Sequence, residues 1–289
     1  MKKKPCFQGR KILAVLAHPD DETFGMGGTL AYYARYGAEV FLICATRGEV
    51  GEIDAIYMEK YKSPACLRTQ ELKQAAEILG IKKVIYLNYR DSGMPGSPDN
   101  LHPMALAAQA VDTVASKVAE IIREIKPEVV ITFDPIGGYK HPDHIAIHKA
   151  TVQAFQMAGE AEGQVNSDKQ IMYAPSRLYF HIMNRTFLRL AVFVLGLLRK
   201  DPHHYGRNKD IDIADLASVD FPTHVRINYK EVASVRAAAA ACHASQGGGS
   251  MSKGLQGLVM RLAAQKSDAF MQAYPPVEGA IKVKRDLFD

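Results

Sequence analysis

KILAVLAHPDDETFGMGGTLAYYARY (residues 11–36) begins as an unbroken apolar run and turns sharply into acid. The run Lys11–Ala17 shows no apolar–polar alternation, which is the pattern of a strand covered on both faces. A polar, Gly-containing turn follows, and Thr29–Tyr36 reads as helix. The same alternation continues outward. Glu39–Ala45, Lys83–Leu87 and Glu128–Phe133 are further apolar strands. Pro64–Leu79, closed by Gly80 as a C-cap, and Met104–Ile125, stopped by Pro127, are helices, and Pro142–Met157 is the next. Asn88–Asn100 is a turn-rich loop and Gly159–Gln170 a polar surface loop. Beyond it the rhythm weakens, with Arg177–His181 a fifth strand and helices over Phe187–Leu198, Tyr229–Ala244 and Met251–Gln272. Buried strands separated by helices predict an α/β fold: a Rossmann-like, mostly parallel sheet with helices on both faces and a C-terminal elaboration. Without an internal repeat or a low-complexity linker, residues 1–289 read as a single domain.

Composition narrows the class. With 47% hydrophobic and 23% charged residues, the 289-residue chain is neither disordered, collagen-like nor a disulfide scaffold. The net charge of +5 is matched by Lys2, Lys3, Lys4, Arg10 and Lys11, all ahead of the first acid, so residues 1–10 read as a flexible basic tail. No basic stripe follows, so no nucleic-acid partner is expected. Cys6, Cys44, Cys66 and Cys242 form no CxxC pair and read as reduced thiols of a cytoplasmic protein. Ile12–Ala17 is too short for a signal-peptide core and Leu190–Leu198 too short for a bilayer span, so neither is expected.

In open parallel sheets ligands bind beyond the carboxyl ends of the strands. Two polar clusters fall there. His18-Pro19-Asp20-Asp21-Glu22 follows the first strand, and His141-Pro142-Asp143-His144 follows the fourth after the turn Asp134–Lys140. The first alone could be a solvated helix cap. Strands one and four can lie side by side at a switch point, and the paired clusters then offer imidazoles and carboxylates to a divalent metal with an open position. His144 and His148 share a helix face at i, i+4, but no HExxH follows, and His148 reads as supporting or packed against the sheet. Non-haem iron oxygenases use a similar donor set, usually in all-β barrels. Gly25-Met26-Gly27-Gly28 is not GxGxxG, and the acids beside it would repel phosphate.

AHPDDETFGMGGTLA (Ala17–Ala31) together with GGYKHPDH (Gly137–His144) closely resembles the PIG-L/LmbE-like family of zinc-dependent N-deacetylases. Further segments carry the likeness through most of the chain: Thr46–Glu49, Leu67–Gly80, Tyr89–Met94, His243–Gln246 and the terminal KRDLF. The resemblance implies His18, Asp21 and His144 as zinc ligands and Asp20 as the general base. It implies His141 as the general acid, tuned by a hydrogen bond from Asp143, and Tyr139 as the residue polarising the acetyl carbonyl. Arg68 and Asp91 become sugar-hydroxyl contacts. The implied substrate is an N-acetylglucosamine-type amino sugar or its conjugate, with another small amide, such as a mycothiol S-conjugate, as the rival. Iron(II) is the alternative metal. A nucleotide-binding module and a non-catalytic sugar binder are the readings from other classes.

Two departures stand out. Lys140 occupies a position where the family often has Gly; it either meets an anionic substrate group or points to solvent, the second being the commoner case. Residues 184–205 match no family segment. The apolar run 187–198, flanked by Arg189, Arg199 and Lys200, suits a lid, a membrane-surface helix or a subunit interface. Burial against its own fold or a partner subunit is the commoner cover, so a homo-oligomer is expected and membrane contact is not favoured.

Overall fold

Branched and apolar side chains on both faces of a strand can be buried only between two helical layers, and this requirement organises the chain. The computed structural model describes residues 5–160, 172–183, 185–197, 199, 201–204, 212–248 and 266–289. Its elements are β1 (Lys11–Leu16), α1 (Asp21–Arg35), β2 (Glu39–Cys44), α2 (Ala55–Met58), α3 (Pro64–Leu79) and β3 (Ile81–Tyr86). α4 (Val111–Ile125), β4 (Val129–Phe133), the irregular single turn α5 (Gly137–Lys140), α6 (Pro142–Gly159) and β5 (Arg177–Ile182) follow. α7 (Arg185–Leu197), α8 (Ile213–Ser218), β6 (Val225–Asn228), α9 (Ala233–Cys242) and β7 (Ser267–Tyr274) complete the set.

The seven strands form one sheet in the order β3-β2-β1-β4-β5-β7-β6. The first five are parallel, while β7 runs antiparallel to both β5 and β6. α1, α3 and α9 pack together, as do α4 and α6. The main core is built from the buried residues of β1, β2 and β4 with Leu30, Tyr33, Val118, Ile122 and Ile147 from the helices. The chain turns one way from β1 to β2 and the other way to β4, so β1 and β4 are neighbours, with Ile12 opposite Val129 and Ala14 opposite Ile131. Their carboxyl ends flank the switch point.

Most expected elements are present, with boundary shifts that have local causes. α1 starts at Asp21 rather than Thr29, because Gly25, Gly27 and Gly28 sit inside a helix kinked at Met26. The helix expected from Met104 begins at Val111. Before it, Gln109 donates from Nε2 to the carbonyls of Pro103 and Ala105 and closes a separate loop. The helix expected over Met251–Gln272 is corrected: Ser267–Tyr274 is a strand, and 251–265 lies outside the described residues. Ala, Met and Gln favour helix locally, yet pairing on both sides with β5 and β6 prevails. β6 and α8 were not anticipated. Residues 1–4 of the basic tail, 161–170 of the polar loop, and 184, 198, 200 and 205 of the unmatched segment lie outside the described residues. All four cysteines are free thiols. Among the described residues no helix is long and apolar enough to cross a membrane.

The Gly-rich face of α1 serves packing. A Cβ at Gly28 would stand 2.2 Å from the ring of buried Tyr229, whereas one at Gly25 would meet only the His181 ring at 3.7 Å. From β7, Asp268 ties down the same helix by accepting from the Thr29 N–H (3.0 Å) and O–H (2.7 Å). Gly28→Ala is therefore expected to cost about 1–3 kcal/mol or more through overpacking. Gly25→Ala should be neutral or up to about 1 kcal/mol stabilising through lost chain entropy. Urea unfolding of both variants checks the pair; equal effects would contradict the packing argument.

Candidate active site

At the end of β1 the chain needs a turn that exposes side chains without stranding its amides. Asp21 Oδ2 accepts from the His18 N–H (2.7 Å), and Glu22 Oε2 accepts from the Asp20 N–H (3.0 Å). Asp20 itself has φ 129° and ψ −27°, a conformation non-glycine residues rarely adopt. At the end of β4, Asp134 Oδ1 accepts from the Gly138 N–H (2.8 Å), and Gly137 and Gly138 both have positive φ. A Cβ on Gly137 would lie 2.9 Å from Cβ of His144, so the close approach itself demands glycine. His141 caps α6, its Nδ1 accepting from the Asp143 N–H (3.2 Å), and Pro142 takes the first helical position.

Proton placement on the two facing imidazoles follows from their outer contacts. His144 Nδ1 lies 3.2 Å from the Gly137 carbonyl and donates to it, which leaves Nε2 a lone pair. His18 Nε2 lies 3.1 Å from Asp143 Oδ2 and 3.5 Å from Asp91 Oδ1, so that nitrogen carries the proton and Nδ1 is the lone pair. The two lone-pair nitrogens face each other at 3.2 Å. Asp21 completes the triangle, with Oδ2 3.5 Å from His18 Nδ1 and Oδ1 3.3 Å from His144 Nε2. Ligands about 2.0–2.2 Å from a tetrahedral ion stand about 3.4 Å apart; the two ring nitrogens are near that spacing, and Asp21 offers a different oxygen to each. Two lone pairs and a carboxylate buried together are satisfied by a cation, so the residues fit a divalent metal. Burial disfavours charge on His18, yet Asp91, Asp143 and Asp21 outweigh it and hold its proton affinity well above the ordinary imidazole value. Burial likewise opposes charge on Asp21, but His144 and His18 hold its carboxyl well below the usual range.

The remaining residues surround this triangle. Asp20 sits 3.1 Å from Arg68 Nη2 (through Oδ2); burial raises its pKa to about 6, with the Arg68 charge opposing. Arg68 also donates to the carbonyls of Gly48 (3.2 Å) and Pro19 (2.8 Å), while its buried Nε has no partner among the described residues. Asp91 accepts from the Gly93 N–H (2.8 Å) and faces His18. The rings of Tyr139 and His144 meet edge-on at 4.9 Å, and burial pushes the Tyr139 hydroxyl up, so it keeps its proton. The His141 ring lies 4.5 Å from that of His18; burial, with His18 and His144, pushes its proton affinity well down.

The hydrogen bond between Asp143 and His141 is made by the Asp143 backbone. Its carboxylate instead accepts from the His18 ring, the Ser92 N–H (2.9 Å) and the Ser92 hydroxyl. Helix geometry explains this: Asp143 lies in the first turn of α6 and meets its cap His141 through the backbone amide, leaving the side chain to cross to β1. Ser92 was not singled out, although it lies in the quoted segment Tyr89–Met94. Glu22 and His243 were quoted in motifs but given no partner; they form a buried pair at 2.8 Å. His148 donates from Nδ1 to the Phe133 carbonyl (2.8 Å) and packs on Phe180, away from the triangle. Lys140 pairs with Asp215 on α8. Leu188 of α7 is buried with Ile213, Leu216 and Ala217 against Ile136, Tyr139 and Met183, while Leu190, Phe193, Val194 and Leu197 are exposed.

Fold and donors together define an α/β protein with a His/Asp metal-binding cluster at the switch point of its sheet. Residues 13–155 match the PIG-L family, described as GlcNAc-PI de-N-acetylase. The 1D-myo-inositol 2-acetamido-2-deoxy-alpha-D-glucopyranoside deacetylase of Geodermatophilus obscurus is 32% identical over 246 residues, 82% of this chain and 83% of that enzyme. The enzyme of the same name from Kineococcus radiotolerans is 41% identical over 187 residues, 60% of this chain but only 52% of its own length. N,N'-diacetylchitobiose deacetylase from Pyrococcus horikoshii has the same fold, with a TM-score of 0.59 at 20% identity, covering 91% of this chain and 83% of that one. The chain belongs to the PIG-L family.

Removing one corner of the triangle should empty it. His144→Ala is expected to reduce bound divalent metal from about one per chain to near zero. Asp143→Asn should keep the stoichiometry but weaken affinity about 10–100-fold, because it disturbs the ring that His18 presents. Chelator-competition titration and metal analysis check both, and a full metal complement in His144→Ala would refute the ligand set.

Proposed function

We propose that the chain is a metal-dependent N-deacetylase that hydrolyses the acetamide of an N-acetylglucosamine-type sugar or conjugate. The observation carrying this reading is the lone-pair triangle of His18, Asp21 and His144 with the carboxylate of Asp20 beside it, in a chain whose relatives are named deacetylases. Zinc is the metal we assign, with iron(II) as the alternative. His18, Asp21 and His144 would hold that ion, which would supply Lewis acidity for activating water and polarising the acetyl carbonyl.

The protein's own groups perform the proton transfers. Asp20, oriented by Arg68, takes a proton from the attacking water as its oxygen bonds to the carbonyl carbon. Tyr139 keeps its proton and donates a hydrogen bond to the oxygen that becomes negative. The C–N bond then breaks as His141, in its protonated form, hands a proton to the departing amine nitrogen. Two of the expected sugar contacts take different parts in this scheme. Asp91 helps orient His18, and Arg68 positions Asp20, leaving its Nε–H, without a partner among the described residues, for a ligand. The free thiols favour a cytoplasmic setting.

Asp20→Ala is expected to retain metal and lose about 10²–10⁴ in turnover, the usual contribution of a general base. Because the base acts as carboxylate and burial raises its pKa to about 6, kcat/KM should rise with pH up to that region; a bound dication moves this limb to lower pH. Free-amine release is the assay, run on N-acetylglucosamine, its inositol and malate conjugates, chitobiose and a lipid-linked form, with a chelated control. Chelator-sensitive release from one conjugate supports the reading. Silence across the panel with metal bound would move the substrate to another amide.

A further inference from the structure

Asp20 is held in a strained turn, φ 129°, that its own side chain does not explain. The turn persists because its N–H is taken by Glu22 Oε2 at 3.0 Å. Glu22 is fully buried, and a buried carboxylate needs partners to stay in place. They come from two directions: the Thr23 hydroxyl donates to Oε1, and His243 Nε2 reaches the same oxygen at 2.8 Å. His243 is also fully buried, directly after α9, at the head of the turn Ala244–Gln246. That turn is stapled in its own right. Ser245 donates from its N–H (2.9 Å) and hydroxyl (2.7 Å) to Glu71 of α3. α3 also carries Arg68, which grips the Asp20 carboxylate. The backbone and the carboxylate of Asp20 are therefore held by separate elements.

We propose that Glu22 and His243 are positioning residues for Asp20: Glu22, fixed by His243, clamps the Asp20 amide and so aims the Asp20 carboxylate at the reacting water. The consequence for turnover rests on the deacetylase reading; the clamp itself does not. Among the described residues neither side chain hydrogen-bonds to His18, Asp21 or His144, so the clamp acts on the geometry of Asp20 rather than on metal binding. A pair serving only to join α9 to α1 would lower thermal stability and leave kcat of the folded protein alone.

The test compares His243→Leu, which fills the same space without a donor, with His243→Gln, whose amide N–H can reach the position of Nε2. Steady-state kinetics, metal content and metal-free crystal structures are measured for both. His243→Leu is expected to lower kcat at least about 10-fold, with KM within about twofold, unchanged metal content, and Asp20 relaxed from positive φ. His243→Gln should recover most of kcat and the turn. Unchanged kcat in folded His243→Leu overturns the proposal, as does a joint loss of kcat, KM and metal that His243→Gln does not repair. If the wild-type protein hydrolyses none of the amides tested, the deacetylase reading fails. The Asp20 conformation in the Leu variant then decides the clamp: an unchanged φ refutes it and a relaxed φ supports it.

Discussion

Parallel pairing of β1 with β4 is the constraint on which the site depends. It sets the ends of two buried strands side by side, so the turns that follow them compete for the same small volume. Both turns carry imidazole, and their lone-pair nitrogens meet at 3.2 Å. Such a contact is repulsive unless something positive lies between, and Asp21 supplies the matching negative charge at 3.3 and 3.5 Å. The sheet thereby builds a cation site from groups that would otherwise be costly to bury.

The outer contacts of those groups fix what they can do. Asp143 and Asp91 hold the proton of His18 on Nε2, and the Gly137 carbonyl holds that of His144 on Nδ1. These contacts leave His18 Nδ1 and His144 Nε2 as the nitrogens turned towards Asp21, and carboxylates or carbonyls behind the rings are what ligating histidines usually have. Asp20 is treated differently. Arg68 lies 3.1 Å from it and, with His243 and His18, favours the carboxylate, yet burial prevails and raises its proton affinity. Neighbouring carboxylates in one turn thus have proton affinities shifted in opposite directions by environment alone.

Local patterns were legible in the sequence where the physics is local. The apolar runs of β1, β2 and β4, the Pro start and Gly stop of α3, and the two His-Pro-Asp turns all depend on near neighbours. The adjacency of β1 and β4 was legible from the βα rhythm, because few topologies accommodate it. Contacts that join distant positions were not. Asp143 reaches Ser92 across 51 positions and His243 reaches Glu22 across 221, and no periodicity announces either. β7 was hidden for the same reason: its Ala, Met and Gln residues suit a helix, and only the flanking β5 and β6 make it a strand. The unmatched segment proved half internal. Leu188 of α7 packs behind Tyr139, while Phe193 and Leu197 lie on the open face.

The most direct test is a crystal structure of zinc-loaded protein with anomalous scattering collected at the zinc edge. The account predicts one ion about 2.0–2.2 Å from His18 Nδ1, His144 Nε2 and an Asp21 oxygen, with His141 unligated and Asp20 beside the open position. His18, His141 and His144, and separately His18, Asp91 and Asp143, present donor atoms within 4.8 Å of one another. An ion ligated by His141, or lodged between Asp91 and Asp143, would contradict the assignment of His18 Nδ1 and the roles built on it.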